Sequence, residues 1–421
     1  MKRLEAVYVS LRDDIFDALD ASSLVEVRAE DLAAQLRESV DLLIQKKDLQ
    51  VTSSGREEIV SSLVAELKGL GPLQTLLDND AISDIMINGH QNVFVEIDGK
   101  VSKSSIRFVD EEQLVAIAKR IAANVGRRVD ESTPLCDARM HNGSRVNIVI
   151  PPLSLDGTSV SIRKFREQKI QLDNLIEFGA MSLEMAKFLS IACYCKCNIL
   201  ISGGTGSGKT TLLNAISGFI HDSERVVTIE DAAELQLQKP NVVRLETRPP
   251  SIEGTGLVTA RDLVINSLRM RPDRVIVGEC RGGEAFEMLQ AMNTGHDGSM
   301  STLHANTPLD AISRVESMVM MATSNLPVEA IRRIIVSAVD LIVQVKRLHD
   351  GTRKIIHITE VSGLEGQQVV MDDIYRYQSS TDSDEDIARG EFISSGLSQR
   401  SVVYQKAKYL GLEEKVKEIL A

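Results

Sequence analysis

A glycine-rich segment constrains the fold of this chain more than any other feature. Residues 203–210 have the sequence Gly-Gly-Thr-Gly-Ser-Gly-Lys-Thr, and the apolar stretch 199–201 precedes them. After the segment, apolar residues such as Leu212 and Ile216 recur on one helical face. A strand, a loop of this pattern and a helix together are typical of a P-loop, in which backbone N–H groups and the helix N-terminus surround a phosphate. The segment therefore predicts a nucleotide site on an α/β sheet.

The P-loop pattern assigns roles to its residues. Lys209 is expected to reach the β- and γ-phosphates, and the Thr210 hydroxyl is expected to ligate Mg²⁺. ATP and Mg²⁺ are therefore the predicted cofactors. A glycine-rich structural turn is the alternative, and the flanking strand and helix argue against it. The predicted nucleotide-binding residues of the loop are Gly203, Gly204, Thr205, Gly206, Ser207, Gly208, Lys209, Thr210 and Thr211.

Two acidic clusters follow apolar strands of the same predicted sheet. The strand predicted at 226–229 runs into Glu230 and Asp231, and the strand predicted at 275–277 runs through Gly278 into Glu279. Ligands of open α/β sheets bind outside the carboxyl ends of the strands, so we expect both clusters to converge on the phosphates. Each acid also has a second interpretation, as the N-cap of the helix that follows.

Residues 294–306 form a third element around a short apolar strand predicted at 300–303. Two of the seven histidines, His296 and His304, flank this strand. A lone histidine is usually structural. At the end of a sheet strand beside a P-loop, however, His304 is placed to sense the γ-phosphate by hydrogen bonding.

Changes in hydrophobic pattern predict four parts of the chain. Residues 1–70 have helical, amphipathic periodicity, and 71–165 form an α+β domain of short strands joined by Asn-Gly and Asp-Gly turns. Residues 166–180 are a linker, and 181–421 form the ATPase domain with a C-terminal helical and mixed subdomain. The other strands predicted from the pattern are 84–88, 93–97, 146–150, 159–162 and 198–202.

Composition limits the class of function. There are 60 acidic residues against 48 basic ones, a formal charge of −12, and aromatic residues make up only 4% of the chain. This balance disfavours direct binding of nucleic acid, which needs positive charge and often aromatic stacking. No apolar run approaches the roughly 18 residues of a membrane span, and the charged first residues do not resemble a secretory signal. We therefore expect a soluble, cytoplasmic protein.

The cysteines and one acid-rich segment are predicted to have structural roles and no catalytic or metal-binding role. Cys193, Cys195 and Cys197 alternate without any CxxC pair or neighbouring histidine, so they are predicted to be small buried residues of a strand. No disulfide, and no metal site on cysteine, is predicted. The acid-rich segment 372–386 is predicted to be a solvated loop.

Four sequence boxes in order resemble those of the bacterial traffic ATPases that drive type II secretion, type IV secretion and pilus assembly. Beside the P-loop, 228–235 resembles their Asp box, 275–281 their Walker B box with Glu in place of Asp, and 294–306 their His box. Further similarity covers about 20–415. Residues 268–273 and 359–364 look most like the tight-adherence (Flp) pilus branch. A four-cysteine zinc element present in some members is absent, so no zinc is expected.

The resemblance implies an α/β fold class: a RecA-like P-loop ATPase domain with a parallel sheet, preceded by an α+β N-terminal domain and a helical N-terminal segment. It places Glu279 in the Mg²⁺ shell beside Thr210, and it makes Glu230 the candidate that polarises the attacking water. Glu279 remains the alternative base, and Lys209 and His304 complete the catalytic set. Arginines of the N-terminal domain would face the nucleotide, in cis or in trans: Arg139, Arg145 and Arg163.

The functional prediction that follows is a homo-hexameric ATPase motor at the cytoplasmic face of the inner membrane. Membrane association would be peripheral, through platform proteins of a pilus or secretion machine, and no nucleic acid is expected as a partner. A DNA-transfer ATPase and a pilus retraction motor are the alternatives within the enzyme class. A nucleotide-gated interaction protein is the alternative outside it, and Glu230 and Glu279 argue against that reading because a pure switch needs neither.

Overall fold

The structure is a computed structural model that describes residues 2–18, 28–97, 99–165, 170–250, 255–323, 325–380 and 389–420. The chain divides into two compact units, Met1–Glu167 and Gln168–Ala421, and each is described by itself. In the described residues, no helix is long and apolar enough to cross a membrane.

Three amphipathic helices begin the first unit: α1 (Lys2–Ala18), α2 (Ala29–Lys46) and α3 (Ser53–Lys68). Their apolar faces enclose a small core that includes Leu11, Leu36 and Leu63. A polar network joins α1 to α3. The Tyr8 hydroxyl donates to Oε2 of Glu66 over 2.5 Å, and Nε of Arg12 donates to Oε1 of the same carboxylate over 2.8 Å.

A six-stranded antiparallel sheet follows in the first unit, in the order β3-β2-β1-β6-β5-β4. Its core is closed by α4 (Pro72–Leu77) and α5 (Glu111–Asn124). The strands are β1 (Ile82–Asn88), β2 (Val93–Ile97), β3 (Lys100–Lys103), β4 (Leu135–Arg139), β5 (Arg145–Val149) and β6 (Ser159–Arg163). Sequence pattern missed β3 and β4, because β3 is exposed at every position and β4 buries only Cys136.

The second unit is built on a nine-stranded sheet in the order β15-β14-β13-β12-β7-β11-β10-β8-β9. Its strands from β12 to β9 in this order are parallel, and β13, β14 and β15 extend the sheet in antiparallel fashion. The strands are β7 (Ile199–Gly203), β8 (Val226–Glu230), β9 (Val242–Glu246), β10 (Arg274–Val277), β11 (Met300–Leu303), β12 (Leu341–Arg347), β13 (Arg353–Glu365), β14 (Gln368–Ser379) and β15 (Gly390–Ser394).

Helices cover both faces of this sheet. One face packs against α6 (Leu172–Glu177), α7 (Leu183–Tyr194), α8 (Lys209–Ser217), α13 (Val402–Tyr409) and α14 (Glu413–Leu420). The other face packs against α9 (Ala260–Ser267), α10 (Glu284–Asn293), α11 (Pro308–Ala322) and α12 (Val328–Ala338). Every residue of β7, β8, β10 and β11 is buried, as expected for parallel strands between two helical layers. The predicted fold class is confirmed.

Some local predictions were wrong. Cys193 lies in α7, and Cys195 and Cys197 lie in the turn that follows it, so the three cysteines are buried without forming a strand. The predicted acidic loop, 372–386, begins within β14, which extends to Ser379, and its residues 381–386 lie outside the described residues. The linker at 166–180 stays a prediction: α6 lies within it, and residues 166–169 are outside the described residues.

A buried ion pair anchors the beginning of β10. Arg274 is 0% exposed, and its guanidinium donates to both carboxylate oxygens of Glu224 over 2.8 and 2.9 Å. Its Nη1 also donates to the carbonyl of Cys193 over 2.8 Å. Burial alone raises the pKa of Glu224, but the hydrogen bonds and charge of Arg274 outweigh burial and lower that pKa to about 2. Arg274 therefore joins β10 to the end of α7 and to the segment before β8.

Candidate nucleotide-binding and catalytic site

The P-loop has the backbone geometry that its glycines require. Strand β7 ends at Gly203, and α8 begins at Lys209. Gly206 and Gly208 adopt φ angles of +69° and +96°, in the left-handed region that favours glycine. A Cβ on Gly203 would collide with the carbonyl oxygen of Val345. The loop therefore turns tightly against the sheet and delivers the free N–H groups of the α8 N-terminus to one place.

The Lys209 side chain crosses the P-loop and faces the third box. Its Nζ donates to the carbonyl of Gly204 over 2.9 Å and lies 3.5 Å from Nδ1 of His304. The residue is buried, and burial lowers the pKa of its ammonium. Lys209 and His304 are 95 positions apart in the chain, and the parallel pairing of β7 with β11 brings them together.

A chain of charged groups continues from His304. Its Nε2 lies 2.7 Å from Oε1 of Glu279, and the other oxygen of that carboxylate accepts from Nη2 of Arg281 over 2.6 Å. Nη1 of Arg281 reaches Oδ2 of Asp231 over 3.2 Å. Hydrogen bonding to Glu279 raises the pKa of Arg281. The Asp box, the Walker B box and the His box thus meet at the carboxyl ends of their strands.

The neighbours of His304 assign its tautomer. Nδ1 faces the Lys209 ammonium, so it must accept, which leaves the ring proton of the neutral form on Nε2. Nε2 lies 2.7 Å from Oε1 of Glu279, without the geometry of a hydrogen bond. Burial, and next the charge of Lys209, lower the pKa of His304. At neutral pH the ring is therefore neutral and carries its proton on Nε2.

Glu230 ends β8 and is only 5% exposed. Its Oε2 accepts from the backbone N–H groups of Glu234 and Leu235 over 2.7 and 2.9 Å. Its Oε1 is buried and has no hydrogen-bond partner among the residues that the structure describes. Burial raises the pKa of this carboxyl. A buried polar atom without a partner is uncommon in proteins, and at this place it fits a site for water or a ligand.

The structure also gives the positions of predicted site residues that are not part of this chain of charged groups. Thr210 lies in the first turn of α8, and Thr211 follows it. His296 belongs to the His box, but its Nδ1 lies 3.3 Å from the carbonyl of Ala291 at the end of α10.

The three arginines of the N-terminal domain occupy one edge of the first unit's sheet. Arg139 pairs across the strands with Arg145, Arg145 with Arg163, and Arg163 with Asp84. Nε of Arg163 donates to Oδ1 of Asp84 over 3.1 Å, and Arg145 lies 3.8 Å from Asp137. The arginines thus gather at one place. Arg145 and Arg163 have acidic neighbours, and Nε of Arg139 donates to the carbonyl of Gly143. Their role at the nucleotide stays a prediction.

Sequence reasoning missed an arginine at the P-loop. Nε of Arg353, the first residue of β13, donates to the carbonyl of Gly206 over 2.9 Å. The two residues are 147 positions apart, and no short motif contains Arg353. The Asp350-Gly351 pair signals the hairpin turn between β12 and β13, but only the antiparallel pairing of these strands brings Arg353 to the loop.

Comparison of the sequence with known protein families identifies the family of this chain. The sequence model of the family described as “Type II/IV secretion system protein” matches residues 66–395. The chain belongs to this family. The family resemblance predicted from the four boxes is therefore confirmed, although the assignment to the tight-adherence branch stays a prediction.

Individual proteins also resemble this chain in sequence. A putative conjugal transfer protein of Mycobacterium tuberculosis H37Rv is 36% identical over 322 residues, which cover 74% of this chain and 91% of the relative. The type IV secretion system protein VirB11 of Bartonella quintana is 32% identical over 333 residues, covering 69% and 92%. Among solved structures, the VirB11 ATPase of the Brucella suis type IV secretion system, in complex with sulphate, is 31% identical with a TM-score of 0.37, covering 69% of this chain and 95% of that one.

Proposed function

We propose that the protein is an ATPase motor of a secretion or pilus-assembly system. The observation that carries this proposal is the continuous contact of Lys209, His304 and Glu279, which links the P-loop to two further boxes. Binding of a nucleotide alone requires only the P-loop. Acidic and imidazole groups next to it supply what hydrolysis needs, which is a place for metal, water and developing charge.

The residues fit ATP and Mg²⁺. The left-handed glycines of the loop and the buried ammonium of Lys209 suit the phosphates, and Thr210 with Glu279 would hold the metal ion. When bound, Mg²⁺ neutralises charge on the phosphates. Glu230, a buried carboxyl with a raised pKa and an unpartnered Oε1, is our candidate to polarise water. Glu279, whose Oε1 likewise has no hydrogen bond in the described residues, is the alternative.

We propose a homo-hexamer at the cytoplasmic face of the inner membrane, where hydrolysis moves a membrane platform of a tight-adherence type pilus. In this proposal the N-terminal domain closes onto the ATPase domain, with the 166–180 linker as the hinge. Arg139, Arg145 and Arg163, from the same or a neighbouring subunit, would then approach the phosphates. Phosphoryl transfer commonly uses such an additional cation, which supports the idea.

A DNA-transfer ATPase is the second candidate, because one relative is named a putative conjugal transfer protein. The net charge of −12 disfavours direct contact of this chain with DNA. In either machine, the protein would act on other proteins of the system and not on nucleic acid.

The test is ATP turnover by the purified protein with Mg²⁺. Lys209→Ala is expected to abolish turnover and ATP binding, whereas Glu279→Gln is expected to bind ATP and to lose at least about 100-fold in turnover. Lys187→Ala, at an exposed position of α7, is the matched control and should turn over ATP like wild type. Wild-type turnover by Glu279→Gln contradicts the Walker B assignment.

Oligomeric state is measured in the same preparations by sedimentation. A hexamer that forms or tightens with a Mg·ATP analogue is expected. Monomer alone at micromolar protein with that analogue contradicts the ring.

A further inference from the structure

A glutamine lies inside the apolar part of β12. The first five residues of this strand are buried, and Gln344 is only 1% exposed among Ile342, Val343 and Val345. Glutamine is mostly exposed in proteins, because burying an amide costs free energy unless its polar atoms are hydrogen-bonded. Among the described residues, no group bonds the buried Oε1 atom of Gln344. A polar residue that the core does not need often marks a functional position.

The Nε2 atom of Gln344 holds the backbone next to His304. It donates to the carbonyl of Ala305 over 3.0 Å, and only the NH₂ end of an amide can bond a carbonyl oxygen, so the orientation of the side chain is assigned. Ser202 of β7 pairs with Gln344 across the strands and is also fully buried. Its hydroxyl donates to the same carbonyl over 3.4 Å. Two neighbouring strands thus bind one carbonyl oxygen.

This carbonyl lies beyond the end of β11. The strand ends at Leu303, whose partner in β7 is Ser202, and His304 and Ala305 follow it. Beyond the end of a strand the sheet restrains the backbone less, so a side-chain hydrogen bond there has more influence on position. The contacts of Gln344 and Ser202 therefore act on the segment that presents the imidazole.

The backbone around Glu279, the partner of His304, is held by a similar contact. The Thr302 hydroxyl donates over 2.7 Å to the carbonyl of Gly278, directly before Glu279. The N–H of Cys280, directly after Glu279, donates to the carbonyl of Thr302 over 2.8 Å. Buried polar groups of the sheet thus restrain the backbone at both partners of the imidazole–carboxylate contact.

We propose that Gln344 is a positioning residue for ATP hydrolysis. Through the carbonyl of Ala305 it fixes the place of His304, and thereby the contacts of the imidazole with the P-loop lysine and the Walker B acid. The inference rests on the proposed function and adds to it a residue from a strand that none of the four boxes contains. Displacement of a catalytic group by about 1 Å can cost about 100-fold in rate. Binding by the P-loop backbone does not depend on this displacement, so kcat should respond and affinity should not.

A double-mutant cycle of Gln344 and His304 in the full chain tests this, with kcat and the Kd for ATP measured for each protein. Gln344→Met keeps the length of the side chain and removes both polar atoms. It is expected to lower kcat by about 10-fold and to leave the Kd within a few-fold of wild type. Its urea midpoint should be at or above that of wild type, because the unpartnered buried oxygen is removed and the Ala305 carbonyl keeps the Ser202 hydroxyl. Gln344→Leu, a second apolar replacement, should behave alike.

Thr359→Val is the matched control. Thr359 lies in β13 of the same sheet, is 2% exposed and donates its hydroxyl to Asp373 over 2.6 Å. The substitution therefore also replaces a buried polar side chain by an apolar one of similar shape, and kcat should equal that of wild type.

In the His304→Ala background, Gln344→Met should lower kcat by less than about twofold, because the group that Gln344 positions is gone. The same fold loss in both backgrounds shows that Gln344 acts independently of His304 and overturns the proposal. Wild-type kcat in Gln344→Met also overturns it. A loss of kcat together with a lower urea midpoint, or failure of both apolar variants to fold, shows a structural role and overturns it as well. Absence of ATP binding and turnover in the wild-type protein contradicts the proposed function itself, whereas the cycle contradicts this inference alone.

Discussion

His304 and Glu279 are in direct contact, with Nε2 of the imidazole 2.7 Å from Oε1 of the carboxylate. The opposite nitrogen of the same ring faces Lys209 at 3.5 Å. The ring is thus a bridge between the P-loop cation and the Walker B acid, and it orients both. The Glu279 side chain is also held by Arg281, two residues later in the same loop.

We predict that His304→Ala lowers kcat for ATP by about 10- to 100-fold while changing the Kd for ATP by only a few-fold. The bridge positions the groups used in hydrolysis, whereas the P-loop backbone supplies most of the binding. Steady-state kinetics combined with equilibrium binding checks this. His221→Ala, at an exposed histidine that contacts Ser223, is the control and should leave both constants unchanged. Equal losses in kcat and affinity would indicate a binding role instead.

Glu230→Gln is predicted to keep ATP binding and to lose about 10²- to 10⁴-fold in turnover, the range for removal of a general base. Since burial raises the pKa of Glu230, the base form is lost on acidification at a higher pH than for an ordinary glutamate. The wild-type rate should therefore fall on the acid side through that raised pKa, and the variant should lack this limb. Glu177→Gln, on the exposed side of α6, is the control. An acid limb retained in Glu230→Gln assigns the base role to Glu279.

The same carboxyl affects stability in a defined direction. The folded state binds the Glu230 proton more tightly than the unfolded state, so this group's contribution falls as pH rises from the ordinary carboxyl value through the raised pKa. The Glu230→Gln variant has no carboxyl at this position, so its free energy of unfolding does not fall with pH for this reason. Denaturant melts across the acidic range should therefore show the variant gaining stability relative to wild type as pH rises, and a relative loss would contradict the raised pKa.

The double variant Arg145→Ala/Arg163→Ala is predicted to fall by roughly 10³-fold in turnover with its fold intact, if these arginines act on the phosphates as a moving clamp. Pairing with Asp137 and Asp84 alone is worth about 1 kcal/mol or less each. Arg37→Ala, at an exposed arginine paired with Glu57, is the control. Turnover within a few-fold of wild type leaves these arginines as surface ion pairs.

Arg274→Met is predicted to destabilise the protein by about 3–5 kcal/mol, because it leaves the buried Glu224 carboxylate without its main partner. Urea unfolding at neutral pH measures this loss. Arg333→Met removes only an exposed pair with Glu329 and should cost less than about 0.5 kcal/mol.

The pH dependence of the same ion pair has a fixed sign. Arg274, with a smaller contribution from Lys196, outweighs burial and lowers the pKa of Glu224 to about 2, so the contribution of these pairs is complete above the ordinary carboxyl pKa. It is lost as pH falls from that value towards 2. In Arg274→Met, stability should depend less on pH over this interval, and an unchanged dependence would contradict the assignment.

Sequence pattern predicted many of the strands that alternate or lie in apolar runs, but it missed β12, whose first five residues are buried, and the strands β13 to β15 that follow it. The strands predicted at 93–97 and 300–303 coincide with β2 and β11, and the other predicted strands differ from the observed ones by one or two residues. Strand β9 has partly exposed residues and β3 is fully exposed, so their pattern does not distinguish them from loops. The alternation of Cys193, Cys195 and Cys197 predicted a strand where the end of α7 buries them.

The sequence by itself determined the P-loop, the two acidic boxes and the histidine box, because each depends on residue types at short spacing beside an apolar strand. Only the tertiary structure decided that Arg353 reaches Gly206, that Arg274 is buried on Glu224, and that Gln344 reaches the carbonyl of Ala305. The physical reason is distance along the chain. These contacts join residues that strand order and helix packing bring together, and local spacing carries no record of that order.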